Sequence, residues 1–139
     1  MPELNALHER LAALEGAWAG TEELAPSPWS PGGTGHASMT FSLAAGGFAL
    51  VQDYRSDTGL TGHGVFSAGE DAVLWHWFDS IGHPPEVPAR GAFDGDALML
   101  ERTTPRGTNR TTFTLEGERL TQDIAVDGRT LVRAVYQRG

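Results

Sequence analysis

The residues best equipped for chemistry are bunched in one stretch, WHWFDSIGHPP. Trp75, Trp77 and Phe78 alternate there with His76 and Asp79, and His83 follows just before a double proline. Histidines in such a setting can ligate a metal or haem iron, because neutral imidazole is a common ligand. His63 and His76 are the pair best placed to try, and haem is the cofactor that they suggest. Against a metal site, the chain has no H-E-x-x-H, no H-x-H and no cysteine, so the usual ligand spacings are missing. Core histidines bonded to Gln52 or Tyr54 are the plainer alternative. Asp79, Ser80 and His83 have the residue types of a hydrolase triad, yet they crowd into one turn. A triad needs base and orienter to converge from separate supports. GHGVFSAG opens like a phosphate loop but sits in a strand pattern with no following helix. Asn109-Arg110-Thr111 is a glycosylation sequon only in a secreted protein. No catalytic residue and no metal ligand is assigned.

Composition narrows the function classes further. The chain has 139 residues and a net charge of −8, and all ten of its basic residues are arginine. Those arginines are scattered from Arg10 to Arg138 among eighteen acids, whereas a nucleic-acid backbone calls for a clustered basic face. Nucleic acid is therefore not expected as a partner. Without lysine there is no Schiff-base chemistry and no P-loop cation, and without cysteine no thiolate chemistry or disulfide. No apolar run is long enough to span a bilayer, and the N-terminal stretch lacks the pattern of a secretory signal. A cytoplasmic protein with no membrane partner is the expectation.

These residues must be positioned by something, and hydrophobic periodicity indicates what. Leu4, Leu7, Leu11 and Leu14 recur at three- and four-residue steps, which predicts one helix over about residues 3–15, stopped by Gly16. From there the period is two, as in ASMTFSL. Short apolar runs separated by SDTG, AGED, DGDA and EGE predict about ten strands over residues 17–138, joined by hairpins too short for parallel crossovers. Closing such a sheet removes its two unpaired edges. The predicted fold is mainly β: a single-domain, antiparallel up-and-down barrel spanning residues 1–139, with the helix plugging one end. APSPWSPGG holds three prolines around Trp29, which fix the backbone of a long connector. Trp29 is either a lid over the barrel mouth or the filler of a surface groove.

Loop lengths then set the faces. A four-residue AGED loop pairs Ser67 with Ala72 and His63 with His76. A four-residue SDTG loop pairs Arg55 with Leu60 and Gln52 with His63. Leu50, Gln52, Tyr54, His63, Val65, Leu74, His76 and Phe78 share one face, which we expect to line the interior as an apolar cavity with a few polar groups. The opposite face carries Asp53, Arg55, Gly62, Gly64, Trp75, Trp77 and Asp79. It is the alternative interior, because rings can cover glycine backbones and a slip of one residue would exchange the faces.

Several stretches together, LEGAWAG, PSPWSPGG, GFALVQDYR, GHGVF, WFDSIGHPP and DGRTLVRAVYQR, resemble the bacterial family known as domain of unknown function 1579. Gly16-x-Trp18 after a helix is also similar to the first-strand signature of lipocalin and fatty-acid-binding barrels. The resemblance implies a lipocalin-like, calycin-type barrel, supplies no activity, and implies that Trp18 stacks on Arg133 or Arg138. The functional expectation is a non-enzymatic binder of a small, largely apolar molecule, its cavity lined by Gln52, Tyr54, His63 and His76 with Trp29, Trp77 and Asp79. An isomerase or hydrolase using the same cavity, or a barrel filled by its own side chains, is the alternative. A homodimer is expected because both faces of AVLWHWFD are apolar.

Overall fold

The computed structural model describes residues 1–28, 31–84 and 87–139; Trp29, expected at the barrel mouth, lies outside them. A short helix, α1 (Ala6–Ala12), precedes ten strands. These are β1 (Gly16–Leu24), β2 (Gly33–Ala44), β3 (Ala49–Ser56), β4 (Thr61–Ala68), β5 (Val73–Asp79), β6 (Ala89–Asp94), β7 (Ala97–Thr104), β8 (Gly107–Glu116), β9 (Arg119–Val126) and β10 (Arg129–Arg138). Each strand pairs antiparallel with its neighbours in sequence, and β1 pairs with β10 to close the barrel. The predicted mainly β barrel with an N-terminal helix is the observed fold.

The helix is shorter than its leucine spacing predicts because its ends are set by polar groups. Asn5 accepts from the backbone N–H groups of Leu7 and His8, and His8 Nδ1 accepts from the Asn5 N–H at 3.0 Å. This reciprocal cap starts the helix at residue 6 and leaves Leu4 outside it, half exposed. The Asn5 side chain also donates to Gly69 O at 2.8 Å, which ties the helix to the β4–β5 turn. His8, Leu11 and Leu14 are the buried face against the barrel end.

Inward residues follow the period of two along each strand. Near the helix end, Trp18, Met39, Phe41, Leu50, Phe66, Leu98, Phe113, Leu120 and Tyr136 are fully buried and fill the barrel. Arg138 closes this floor. Its guanidinium lies 4.3 Å from the Trp18 ring centroid and donates to the carbonyls of Ala13 and Glu15. Of the two arginines that the family resemblance offered as stacking partners, Arg138 makes the contact, while Arg133 bonds to Asp123 at 2.7 Å on the exterior.

The hairpin registers correct the expected faces. Arg55 pairs with Thr61 rather than Leu60, so Asp53 lies opposite His63 and Gln52 opposite Gly64. Ser56 N–H donates to Leu60 O at 2.9 Å across a three-residue turn, in which Gly59 takes φ +92°. That conformation is open to glycine and strained for other residues. The odd shift moves β4 to the opposite face relative to β3. In the next hairpin Ser67 pairs with Leu74 and Val65 with His76, a shift of two that leaves faces unchanged. Gln52 and Tyr54 therefore point inward as expected, but with Trp75, Trp77 and Asp79. His63 and His76 lie on the exposed outer surface.

Candidate functional site: a cavity at the barrel mouth

Away from the helix the barrel is not filled. A cavity of about 390 Å³ opens there, with Trp75, Ala89 and Leu100 at its base and Leu24, Leu60, Ile124, Val126 and Val132 on its walls. Polar side chains are interspersed among them, including the carboxylates of Glu22, Asp57 and Asp79, the Arg102 guanidinium and the amides of Gln52 and Gln122. Its base is an aromatic cluster. Phe66 stacks on Trp75 at 5.6 Å between centroids, Trp75 tilts against Trp77 at 5.4 Å, and Tyr54 meets Trp77 edge-on at 6.0 Å.

Two glycines on β4 make room for these rings. A Cβ on Gly62 would sit 2.2 Å from the Trp77 ring, and one on Gly64 would sit 2.5 Å from Gln52 Oε1 and 2.6 Å from Trp75 Nε1. Gln52, which is 1% exposed, accepts from Trp75 Nε1–H at 3.2 Å and its amide nitrogen faces Met39 Sδ at 3.2 Å. The Trp75 indole is thereby satisfied and fixed at the boundary between packed core and open cavity.

On one wall Tyr54 Oη donates to the Glu22 carboxylate, with oxygens at 2.7 and 2.8 Å, and Tyr136 Oη reaches the same carboxylate at 3.5 Å. Burial pushes the Tyr54 phenol well above its ordinary range, with the Glu22 bond and charge adding to it. Burial and then the Glu22 charge raise Tyr136 likewise. Both phenols are therefore neutral donors at any ordinary pH. Two strands from Tyr54, in register with it through Gly62, Asp79 accepts from Trp77 Nε1–H at 3.0 Å and from the Ile81 N–H at 3.1 Å.

Among the described residues, strand pairing in the wall stops early at this end. β5 pairs with β6 only as far as Trp75, opposite Ala89, and β6 pairs with β7 only as far as Glu101, opposite Arg90. Beyond those pairs Trp77 and Asp79 of β5 and Arg102 and Thr104 of β7 line a common pocket. That pocket has a volume of about 480 Å³ and is bordered also by His83, Arg106 and Asn109.

Of the residues expected to line a site, the structure brings Gln52, Tyr54, Trp77 and Asp79 to this cavity. It does not bring His63 or His76. His63 Nδ1 lies 2.8 Å from Asp53 Oδ1 on the exterior, both half exposed or more. The residues present do not fit a haem held by that pair. Glu22, Arg102 and Gln122 were missed. Period-two counting from Trp18 would have placed Glu22 inside, and counting from Leu98 and Leu100 would have placed Arg102.

A closed, ten-stranded antiparallel barrel with a polar-studded cavity at one end is the class of protein that these observations define. No family model matches the chain, and no curated protein matches it. Among solved structures it is similar to the crystal structure of Rv2717c from M. tuberculosis, with a TM-score of 0.72, 18% identity and 99% of each chain covered. At that identity the likeness speaks for the fold. Among the described residues no helix is long and apolar enough to cross a membrane.

Proposed function

We propose that the protein is a non-enzymatic binder of a small, largely apolar molecule held in the mouth cavity. The observation that carries this reading is the half-filled barrel: a space of about 390 Å³ beginning where the packed core ends, floored by Trp75 and Trp77. A concave space of that size, combining aromatic and aliphatic surface with interspersed polar groups, supports a small-molecule site. Space of this size also argues against the filled-barrel alternative. The enzyme alternative would need a base or nucleophile free to act. Glu22 already accepts from Tyr54 and Tyr136, and Asp79 from Trp77 and Ile81, so binding is the better-supported use of the cavity. Membership in domain of unknown function 1579, a bacterial cytoplasmic setting and a homodimer belong to the same proposal. Outward Leu74 and Phe78 on β5, the latter 43% exposed, are the apolar surface for a dimer contact.

Native mass spectrometry of the freshly purified chain tests the binding reading. The expected result is a non-covalent adduct of small mass that is lost on denaturation. A bare chain mass, together with no thermal stabilisation by any of a panel of apolar probes, would overturn it.

A further inference from the structure

Just past the packed core, the cavity wall carries two neutral polar side chains without partners. On β9 the inward residues run from Leu120 in the core to Gln122 and then Ile124, and on β8 from Phe113 to Thr111. Gln122 and Thr111 are only 7% and 6% exposed, and among the described residues neither side chain makes a hydrogen bond. Phe113 pairs with Gln122 and Thr111 with Ile124, so the two polar residues are diagonal neighbours on one face, within reach of each other. Sealed polar atoms without a hydrogen-bond partner occur at His8, Arg102 and Arg138 among the described, non-exposed residues. The Gln122 amide and the Thr111 hydroxyl are not sealed, so both are open to the cavity that they line. A buried carboxamide ordinarily has its donor and its acceptor paired, and here both are offered to the cavity. Gln52 is occupied by contrast, its oxygen accepting from Trp75 and its nitrogen facing Met39 Sδ.

We propose that Gln122, flanked by Thr111, reads a neutral cis-amide edge, so that the cavity takes a flat, uncharged lactam with its ring against Trp75 and Trp77. This rests on the binding reading above and narrows it to a chemical class. A lactam holds N–H and C=O side by side on one edge. The Gln122 carboxamide presents the complementary pair: the ligand N–H donates to Oε1, and Nε2–H donates to the ligand carbonyl. That carbonyl oxygen has a second lone pair for the Thr111 hydroxyl. An alcohol or a ketone would meet one of the two amide groups and leave the other buried and unpaired, which weakens binding. The charged lining points away from an ion. Three carboxylates, Glu22, Asp57 and Asp79, against the Arg102 guanidinium disfavour an anion. Glu22 and Asp79 already accept from Tyr54 and Trp77, and Asp57 is exposed, so none of them calls for a cation. The flat shape follows from the aromatic base, where Phe113, the strand partner of Gln122, meets Trp75 edge-on at 5.7 Å.

Isothermal titration calorimetry on the intact chain compares carbostyril, a bicyclic aromatic lactam, with N-methylcarbostyril, in which a methyl replaces the amide hydrogen and the carbonyl remains. Carbostyril should bind at least about tenfold more tightly, and Gln122→Met, which keeps the side-chain length and removes the amide, should bring the two within about twofold. Thr111→Val should weaken both and leave their ratio. Equal affinities in the unaltered chain, or a preference that survives Gln122→Met, would overturn the Gln122 assignment and leave the binding reading standing. In the unaltered chain, bound carbostyril should also show nuclear Overhauser contacts to the Gln122 amide protons, and their absence overturns the assignment even if Gln122→Met does not fold. If neither lactam binds while neutral naphthyl methanol does, the assignment falls alone. If none of the three binds at millimolar concentration, the binding reading falls with it.

Discussion

Replacing Arg138 with alanine should loosen the barrel floor without touching the cavity, and its cost follows from three contacts. The guanidinium stacks 4.3 Å from the Trp18 ring centroid, a contribution of about 1 kcal/mol for a largely desolvated pair. It also donates to the Ala13 and Glu15 carbonyls, each bond worth about 1 kcal/mol net of water competition. Its Nε lies 2.9 Å from the Glu118 carboxylate, but that group is 73% exposed and adds little. The expected loss is about 3 kcal/mol. With an unfolding entropy of about 0.3 kcal/mol per kelvin for a chain of this size, the thermal midpoint should fall by about 10 °C. Arg138→Lys keeps the charge but not the fork, and should fall between the two. Circular dichroism melts in the β region read this directly. A drop of less than about 2 °C for Arg138→Ala would show that the stack and the two carbonyl bonds do not hold the helix end to the barrel.

Other expectations follow from the same contacts. Gly64→Ala places a methyl against Gln52 and the Trp75 indole and should cost about 1–3 kcal/mol by denaturant titration. Gly62→Ala must push the Trp77 ring, which borders open space, into the cavity, so it should weaken binding of apolar probes more than it weakens folding. Asn5→Ala removes the helix cap and the bond to Gly69, at a cost of about 1 kcal/mol in a chemical melt. The two tyrosines both have raised phenol pKa values, so the folded chain should show no phenolate absorbance as pH passes 10, the ordinary tyrosine value. The sign follows: above that pH only the unfolded chain releases these protons, and stability present below it is lost as pH rises. Buried Tyr136 contributes about 1.4 kcal/mol per pH unit, and half-exposed Tyr54 a smaller, solvent-screened part.

The strand pattern was legible because a barrel with a packed floor imposes a strict alternation. Met39, Phe41 and Leu50 declare their face, and Trp18 with Arg138 marks the closing seam. Hairpin registers were less so. SDTG reads equally well as a four-residue connector or as a three-residue turn with Gly59 left-handed, and the second wins because Ser56 pairs with Leu60. That single residue decides whether His63 or Gly64 shares a face with Gln52. Local sequence leaves this choice open, since both faces of β5 carry large apolar side chains and either could be buried. The cavity's polar groups were hidden for a different reason. Glu22 and Arg102 look like ordinary surface charges, and only their alternation with buried neighbours reveals them. Where the β5–β6 and β6–β7 pairings stop is a further choice that no local signal encodes.

The most direct test of the mouth cavity uses the tryptophans as reporters. Of the four in the chain, Trp75 and Trp77 line the cavity, while Trp18 is 1% exposed at the opposite end, its indole bonded to Leu14 O at 2.9 Å. Indole N–H resonances of the labelled protein can be followed as neutral naphthyl methanol is added. Shifts in Trp75 and Trp77 with Trp18 unmoved are the predicted result. No movement at Trp75 and Trp77, or movement confined to Trp18, would contradict a ligand site at the barrel mouth.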